Sequence, residues 1–345
     1  MKQPSNSAGA FARGKHLAFC FLPLALFVIL AADIRAGGLW LWLLPAVLLV
    51  LVPLLDTLTG WQDEASFDGG EFTASEIFLL NWNPRLFALG YLGFVFWLTR
   101  HIGQFSRAEI IPLLASMSLL GGICFAAAHE LLHGKARIDQ WLQRVVTMFL
   151  FYPHYKLIHI RSHHVHTSTE NDENTAWLNE TIYAYIARTI PGSAIRCWQM
   201  EARQFGVWRN KMTAYAAGQL ALLAGMFLLV GARGLAFYAV FTLGAHIILE
   251  SVNYIQHYGL LREKRADGYE KTAAEHSWDT YHFFSSYIAY RVGHHSYHHL
   301  AVKPYYLLAS EPESPKLPVG YFWAIAMVFL PPWWRRVMHP RLQTA

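Results

Sequence analysis

Cysteine is nearly missing from this chain: three residues in 345, Cys20, Cys124 and Cys197, too few and too scattered for a disulfide framework or a thiolate metal site. Charge is scarce too. Only 15% of residues are Asp, Glu, Lys or Arg while 54% are hydrophobic, which excludes an ordinary soluble domain and leaves a membrane protein. The formal net charge of +5 does not point to nucleic acid, because lysines and arginines are spread along the chain; basic loops on a cytoplasmic face account for it. Internal repeats and low-complexity tracts are absent. No Ala-x-Ala cleavage site follows the first apolar run, so a retained first span is expected rather than a signal peptide.

Long apolar runs are what the sequence has instead. They predict an all-α integral membrane protein, one domain over 1–345, with about six transmembrane helices near 17–33, 39–55, 78–98, 110–131, 213–230 and 234–252. The apolar stretch from Pro318 to Trp334 ends in Trp333, Trp334, Arg335 and Arg336 and reads as an interfacial anchor. With the N-terminus inside, Lys and Arg number three before the first span, ten between Leu132 and Met212 and ten after Glu250, against four in the outer turns. The positive-inside rule then faces the C-terminal half to the cytoplasm, and the expected location is a bacterial-type inner membrane.

That half is rich in histidine. Fifteen of eighteen histidines lie between His129 and His299, and neutral imidazole is the commonest nitrogen ligand for metal. His129 and His133 are four residues apart and share a helix face. Alone, His129-Glu130-Leu131-Leu132-His133 is the signature of a membrane zinc protease, a reading that leaves the later histidines idle. A metal carrier or sensor without enzymatic activity is the other reading from a different class. His159, His163 and His164 repeat the four-residue spacing and add a neighbour; His295, His298 and His299 do so with a spacing of three. One metal cannot accept so many imidazoles, whereas two can, with nine histidines divided as four and five. Imidazole suits zinc, copper, iron and nickel, so spacing alone leaves the metal open. A lipophilic protein implies a lipophilic substrate, for which redox metal and dioxygen are the tools.

The order His-Glu-Leu-x-His, His-x-x-x-His-His, Asn253-Tyr254-Ile255-Gln256-His257-Tyr258-Gly259, His276-Ser277-Trp278 and His-x-x-His-His resembles the membrane alkane monooxygenase family, including the xylene monooxygenase hydroxylase components, within the wider fatty-acid desaturase and hydroxylase superfamily. The resemblance implies a non-haem di-iron centre whose nine ligands fall on His129, His133, His159, His163, His164, His257, His295, His298 and His299. It also implies dioxygen as oxidant, with electrons from a rubredoxin or ferredoxin and its reductase. The expected reaction is hydroxylation of an alkane or alkyl-aromatic methyl group to an alcohol. Ile158, Ser162 and Gln256 depart from the alkane-hydroxylating pattern and bear on the substrate. A related group that resembles this layout decarboxylates medium-chain fatty acids to terminal alkenes of the 1-undecene type, and fatty-acyl desaturation or hydroxylation belongs to the same superfamily. Arg161, Lys156 and His166 are the cations such a carboxylate would need, although water-facing loop positions explain them as well.

Metal-bound histidines usually donate their second ring nitrogen to a carboxylate or carbonyl. Glu130 and Asp279 are therefore the candidate catalytic carboxylates, acting through the ligands, and His276, Asp172 and Glu173 are further candidates for support behind them. Each is otherwise a solvated loop group. His166 and His294 have only adjacency to ligands in their favour. Span aromatics such as Trp40, Trp42, Phe94, Phe96, Trp97, Phe237 and Phe241 face lipid or line a hydrocarbon tunnel, while Gly121, Gly122 and 126–128 favour close helix approach.

Overall fold

The structure, a computed structural model, describes residues 6–61, 71–207 and 209–342. Among them α1 (Asn6–Cys20) and α2 (Leu22–Ala36) form a bent pair, and α3 (Gly38–Thr59) returns after a turn in which Gly37 and Gly38 take φ of 68° and 57°, values open to glycine at little cost. α4 (Ala74–His101) and α5 (Arg107–His133) each start on a capping box, Thr73 with Glu76 and Ser106 with Glu109, which satisfies backbone donors that a helix start leaves free. Glu109 also accepts the backbone N–H of Gly38 at 3.1 Å. The α2–α3 turn is thereby fastened to the start of α5.

α6 (Arg137–Phe149) is followed by α7 (residues 155–166), α8 (Ile182–Phe205) and α9 (Lys211–His257). Short helices α10 (Phe283–Ile288), α11 (His295–Leu300), α12 (Tyr321–Val328) and α13 (Pro331–Leu342) complete the chain, with a small antiparallel ribbon pairing Lys264–Arg265 with Gly268–Tyr269. α9 packs along α5 where side chains are smallest. A Cβ added to Gly121 would lie 2.5 Å from the Ala245 Cβ, and one on Gly244 would lie 2.2 Å from the Ser118 Oγ, so glycine sets the approach as small residues do between membrane helices.

Among the described residues four helices are long and apolar enough to cross a membrane, Gly38–Thr59, Ala74–Gln104, Arg107–His133 and Lys211–His257; Ala12–Cys20 with Leu22–Ala36, bent by 43°, raises the number to five. The last two expected spans, 213–230 and 234–252, fall on either side of a break within α9 at Gly231 (φ 70°, ψ −179°), the position at which the sequence separates them. Gln219 donates to the Met148 carbonyl at 3.1 Å and Tyr238 to the Phe149 carbonyl at 2.5 Å. Nineteen residues of straight helix would separate these positions by about 28 Å, so the two arms fold back towards each other at Gly231.

The polar entrance of α4 is satisfied inside the protein. Asn83 Oδ1 accepts from the Tyr290 hydroxyl at 2.9 Å, the Tyr306 hydroxyl donates to Asn81 Oδ1 at 3.3 Å and Arg85 meets Asp139 at 2.6 Å, as buried polar groups require. The expected interfacial anchor is corrected at one residue: Trp334 is buried against Tyr254 and Tyr258, with ring centroids 5.9 and 5.5 Å away, while Leu330, Pro332, Trp333 and Arg336 stay exposed. The tertiary partners on α9 outcompete the membrane interface for the Trp334 ring.

Candidate metal centre

The last turn of α5 carries His129 and His133 on one face, as the four-residue spacing requires. α7 behaves differently. Residues His159–His163 form a wide π-helical turn, a local winding often found at functional sites. It brings His159 together with His164, Nε2 to Nε2 at 2.9 Å, and turns His163 the other way. On α11 the partners are His295 and His299, Nε2 to Nε2 at 3.0 Å, with His298 directed across to His129 at 3.1 Å. The four-residue spacing read from His159 to His163 and the three-residue spacing read from His295 to His298 therefore do not mark shared groups.

Two groups result. His129, His133, His159 and His298 place their nitrogens within 4.8 Å of one another, and His164 joins them through Nε2 contacts to His159 and to His298 at 3.1 Å. His163, His257, His295 and His299 form the second group within the same limit. All nine expected ligands are used, five and four, and no carboxylate stands among them. The two groups adjoin, with the rings of His163 and His164 6.0 Å apart.

Burial favours neutral rings in both groups. It holds His159, His295, His298 and His299 well below the ordinary imidazole pKa, reinforced by neighbouring histidines, and pushes His164 down to about 3. A neutral ring with a lone pair aimed at a common point is what a divalent transition metal needs. Five Nε2 atoms cannot all satisfy one another by hydrogen bonding, since each carries either a proton or a lone pair. The donor set therefore fits a metal in each group.

Ring orientation is fixed from behind. Asp172, fully buried, accepts from His163 Nδ1 at 2.9 Å, leaving Nε2 for metal. Although burial alone would raise it, the His163 ring and the Asn174 N–H hold the Asp172 carboxyl below its usual range. Thr167 donates to the His163 carbonyl and receives His299 Nδ1 at 3.3 Å. Asp279 works one step further back. Its carboxylate accepts the Ser296 N–H at 2.8 Å, the Ser314 and Tyr281 hydroxyls at 2.7 Å and the Ser296 hydroxyl at 2.5 Å, so it anchors the start of α11 rather than touching a ligand.

The other expected positions fall elsewhere. Glu130 Oε2 accepts the Tyr305 N–H at 2.9 Å and meets no histidine; with His129 and His133 sharing a five-histidine group, the zinc-protease arrangement of three ligands and a glutamate-activated water is not formed. Glu173 pairs with Arg196 at 3.8 Å. His276 accepts the Ala273 N–H at 2.9 Å and meets Glu270 at 3.1 Å, bracing the loop after the ribbon. His294 lies between Arg291 and the Ala309 carbonyl at 3.2 and 3.1 Å, and neither it nor His166 belongs to a group. Arg161 is held by Glu201 at 2.7 Å and Lys156 by Gln140.

A narrow apolar cavity of about 60 Å³ ends at His129, His159, His163 and His295. Leu119, Gly122 and Ala126 of α5, Ile248 and Val252 of α9 and Phe322 and Ile325 of α12 form its wall, with the Asn174, Asn253 and Gln256 amides near the metal end. None of the span aromatics named above lines it: Phe237 and Phe241 are core residues, while Trp40, Trp42, Phe96 and Trp97 are exposed. The contribution of α12 was missed in the sequence, where nothing local separates a channel wall from a surface anchor. On the other side, a polar cavity of about 450 Å³ reaches His133 and Glu130 past Arg85, Lys135 and Lys303.

Comparison with known proteins agrees with this geometry. Residues 108–310 match the fatty acid desaturase family, a segment holding all nine histidines. The chain is 29% identical to alkane 1-monooxygenase 1 of Pseudomonas aeruginosa over 339 residues, covering 91% of this chain and 86% of that protein. It is 34% identical to an alkane 1-monooxygenase of Ectopseudomonas oleovorans, covering 69% and 61%. Identity to the xylene/toluene monooxygenase hydroxylase component XylM of Pseudomonas putida is 25%, covering 68% and 65%. A histidine-lined centre beneath membrane helices, and a family match over more than half the chain, together establish that this protein belongs to the fatty acid desaturase family.

Proposed function

We propose that the protein is a membrane oxidoreductase that hydroxylates a hydrocarbon, an alkane or the methyl group of an alkyl aromatic, to an alcohol, using dioxygen and two non-haem irons. The observation that carries the reading is a narrow apolar cavity that ends at His129, His159, His163 and His295, members of the two histidine groups. One iron would be held by His129, His133, His159, His164 and His298, the other by His163, His257, His295 and His299. Bound iron with dioxygen would supply the oxidising power to replace C–H by C–OH, with electrons from a rubredoxin or ferredoxin and its reductase.

The chain's own part is positioning and exclusion of water. Leu119, Gly122, Ile248 and Phe322 confine an alkyl chain to one line of approach, so the carbon nearest His129 and His295 is selected by fit. Asp172 and Thr167 fix the rings of His163 and His299, and Asp279 fixes the helix that presents His295, His298 and His299. The polar cavity at His133 gives water and protons a route separate from the apolar one. We place the centre on the cytoplasmic face of the inner membrane, supported by the concentration of Lys and Arg around it.

The test is product analysis by gas chromatography and mass spectrometry on membranes carrying the protein with a rubredoxin or ferredoxin system. Octane, a xylene and dodecanoic acid are supplied in turn. Alcohol from a hydrocarbon is the expected result. Undecene from the acid with no alcohol from either hydrocarbon would replace the proposal by decarboxylation.

A further inference from the structure

Helix α8 is inside out for a water-facing helix. Beyond Ile182 and Tyr185 its buried positions are Thr189, Ser193, Cys197 and Glu201, and its outer face shows Tyr183, Ala187, Pro191, Ile195 and Trp198 at steps of four, four, four and three residues, one stripe along the axis. Tyr183 and Ile195 are each 57% exposed and Trp198 39%. The stripe continues past the helix in Phe205 and Val207, exposed by 43% and 54%. α8 is not among the helices apolar enough to cross a membrane. An apolar outer face on a helix that does not span is the mark of one lying in the plane of a bilayer surface.

The neighbouring surface and the charges select the same partner. Tyr183 donates to the Phe329 carbonyl at 2.8 Å, beside the exposed Leu330 and Trp333, so the stripe runs on into α12 and α13. At its other end it meets the start of α9, whose Leu220, Phe227 and Leu228 are exposed as on a lipid-facing span. Arg188, Arg196 and Arg203, eight and seven residues apart, lie along a flank of the stripe. The first two are drawn to Glu180 and Glu173; Arg203 and Arg209 are exposed, as is Lys211, whose Nζ lies 3.9 Å from Glu201.

We infer that α8 and the residues to Val207 are embedded in the leaflet on the metal side, with the stripe from Tyr183 to Trp198 among acyl chains and Arg203, Arg209 and Lys211 on anionic phospholipid headgroups. The buried face then ties that leaflet to the metal site. Glu201 holds Arg161, which lies between the ligands His159 and His163, at 2.7 Å, and Ser193 meets His154 at 3.3 Å. The metal centre sits at headgroup depth, not in a domain standing clear of the membrane.

The test uses the full chain in vesicles of phosphatidylcholine with and without phosphatidylglycerol. Ile195→Cys and Arg203→Cys, both at exposed positions, are labelled with bimane, and the unsubstituted chain, whose Cys20, Cys124 and Cys197 are buried, gives the background. A nitroxide on the lipid acyl chain should quench the probe at position 195 and iodide in water should not; at position 203 the order should reverse. Charge reversal by Arg203→Glu with Arg209→Glu should remove any gain in acyl-chain quenching at position 195 that phosphatidylglycerol gives. Equal iodide quenching at both positions would show the face open to water and to a soluble protein partner, and would overturn the inference, as would quenching that ignores both phosphatidylglycerol and the charge reversal for the headgroup contacts.

Discussion

His159 and His164 stand five residues apart in the chain and bring their Nε2 atoms to 2.9 Å. In a regular α-helix residues five apart differ by about 140° around the axis and cannot meet so closely. The wide turn of His159–His163 removes that difference. It divides one histidine run between two metal groups.

Removal of His164 should therefore weaken the five-histidine group as severely as removal of His298. His164→Ala and His298→Ala should each abolish turnover and lower bound iron, measured per chain by mass spectrometry, whereas His166→Ala should retain both. Full iron in the His164 variant would show that the group closes without it.

Asp172 holds His163 by one charge-assisted bond at 2.9 Å. Asp172→Asn keeps the shape, removes the charge and should cost about 10–100-fold in iron affinity or activity, the usual effect of losing such support behind a ligand. Iron competition with a chelator measures it, and wild-type affinity would show that the bond is dispensable.

Leu119 lies ten residues before His129 on α5, about 15 Å along the helix, and both line the apolar cavity. Leu119→Trp should exclude longer alkyl chains and spare shorter ones with bound iron unchanged. Comparing products across a series of chain lengths decides it; uniform loss at every length would mean that Leu119 does not set the depth of the channel.

Trp334 is buried against Tyr254 and Tyr258. Trp334→Ala should cost about 3–5 kcal/mol, the range for deleting a large buried ring, read from denaturant unfolding in detergent. Loss within the range of a surface substitution would restore the anchor reading for this residue.

Much of the site was legible because its chemistry is concentrated in types and spacings. Nine histidines in a chain almost without cysteine specify nitrogen ligation, and His129 with His133 needs only helical periodicity to form a pair. Asp172 was legible as a carboxylate near its histidine. Glu130, Glu173 and Asp279 were equally eligible by sequence distance, yet their partners turned out to be Tyr305, Arg196 and Ser296, because proximity along the chain does not fix where a carboxylate points. Trp334 misled for a related reason: a tryptophan at the end of an apolar stretch satisfies a membrane interface and a protein core alike.

By itself the sequence determined the class of the protein, helical and membrane-bound, and named the histidines that come together, since hydropathy and residue type need no knowledge of neighbours. The tertiary structure decided which histidine shares a group with which, and that α12 rather than the span aromatics walls the channel. These depend on how a turn is wound and on which surfaces bury each other. Such quantities are set by contacts between residues far apart in the chain, and no local pattern records them.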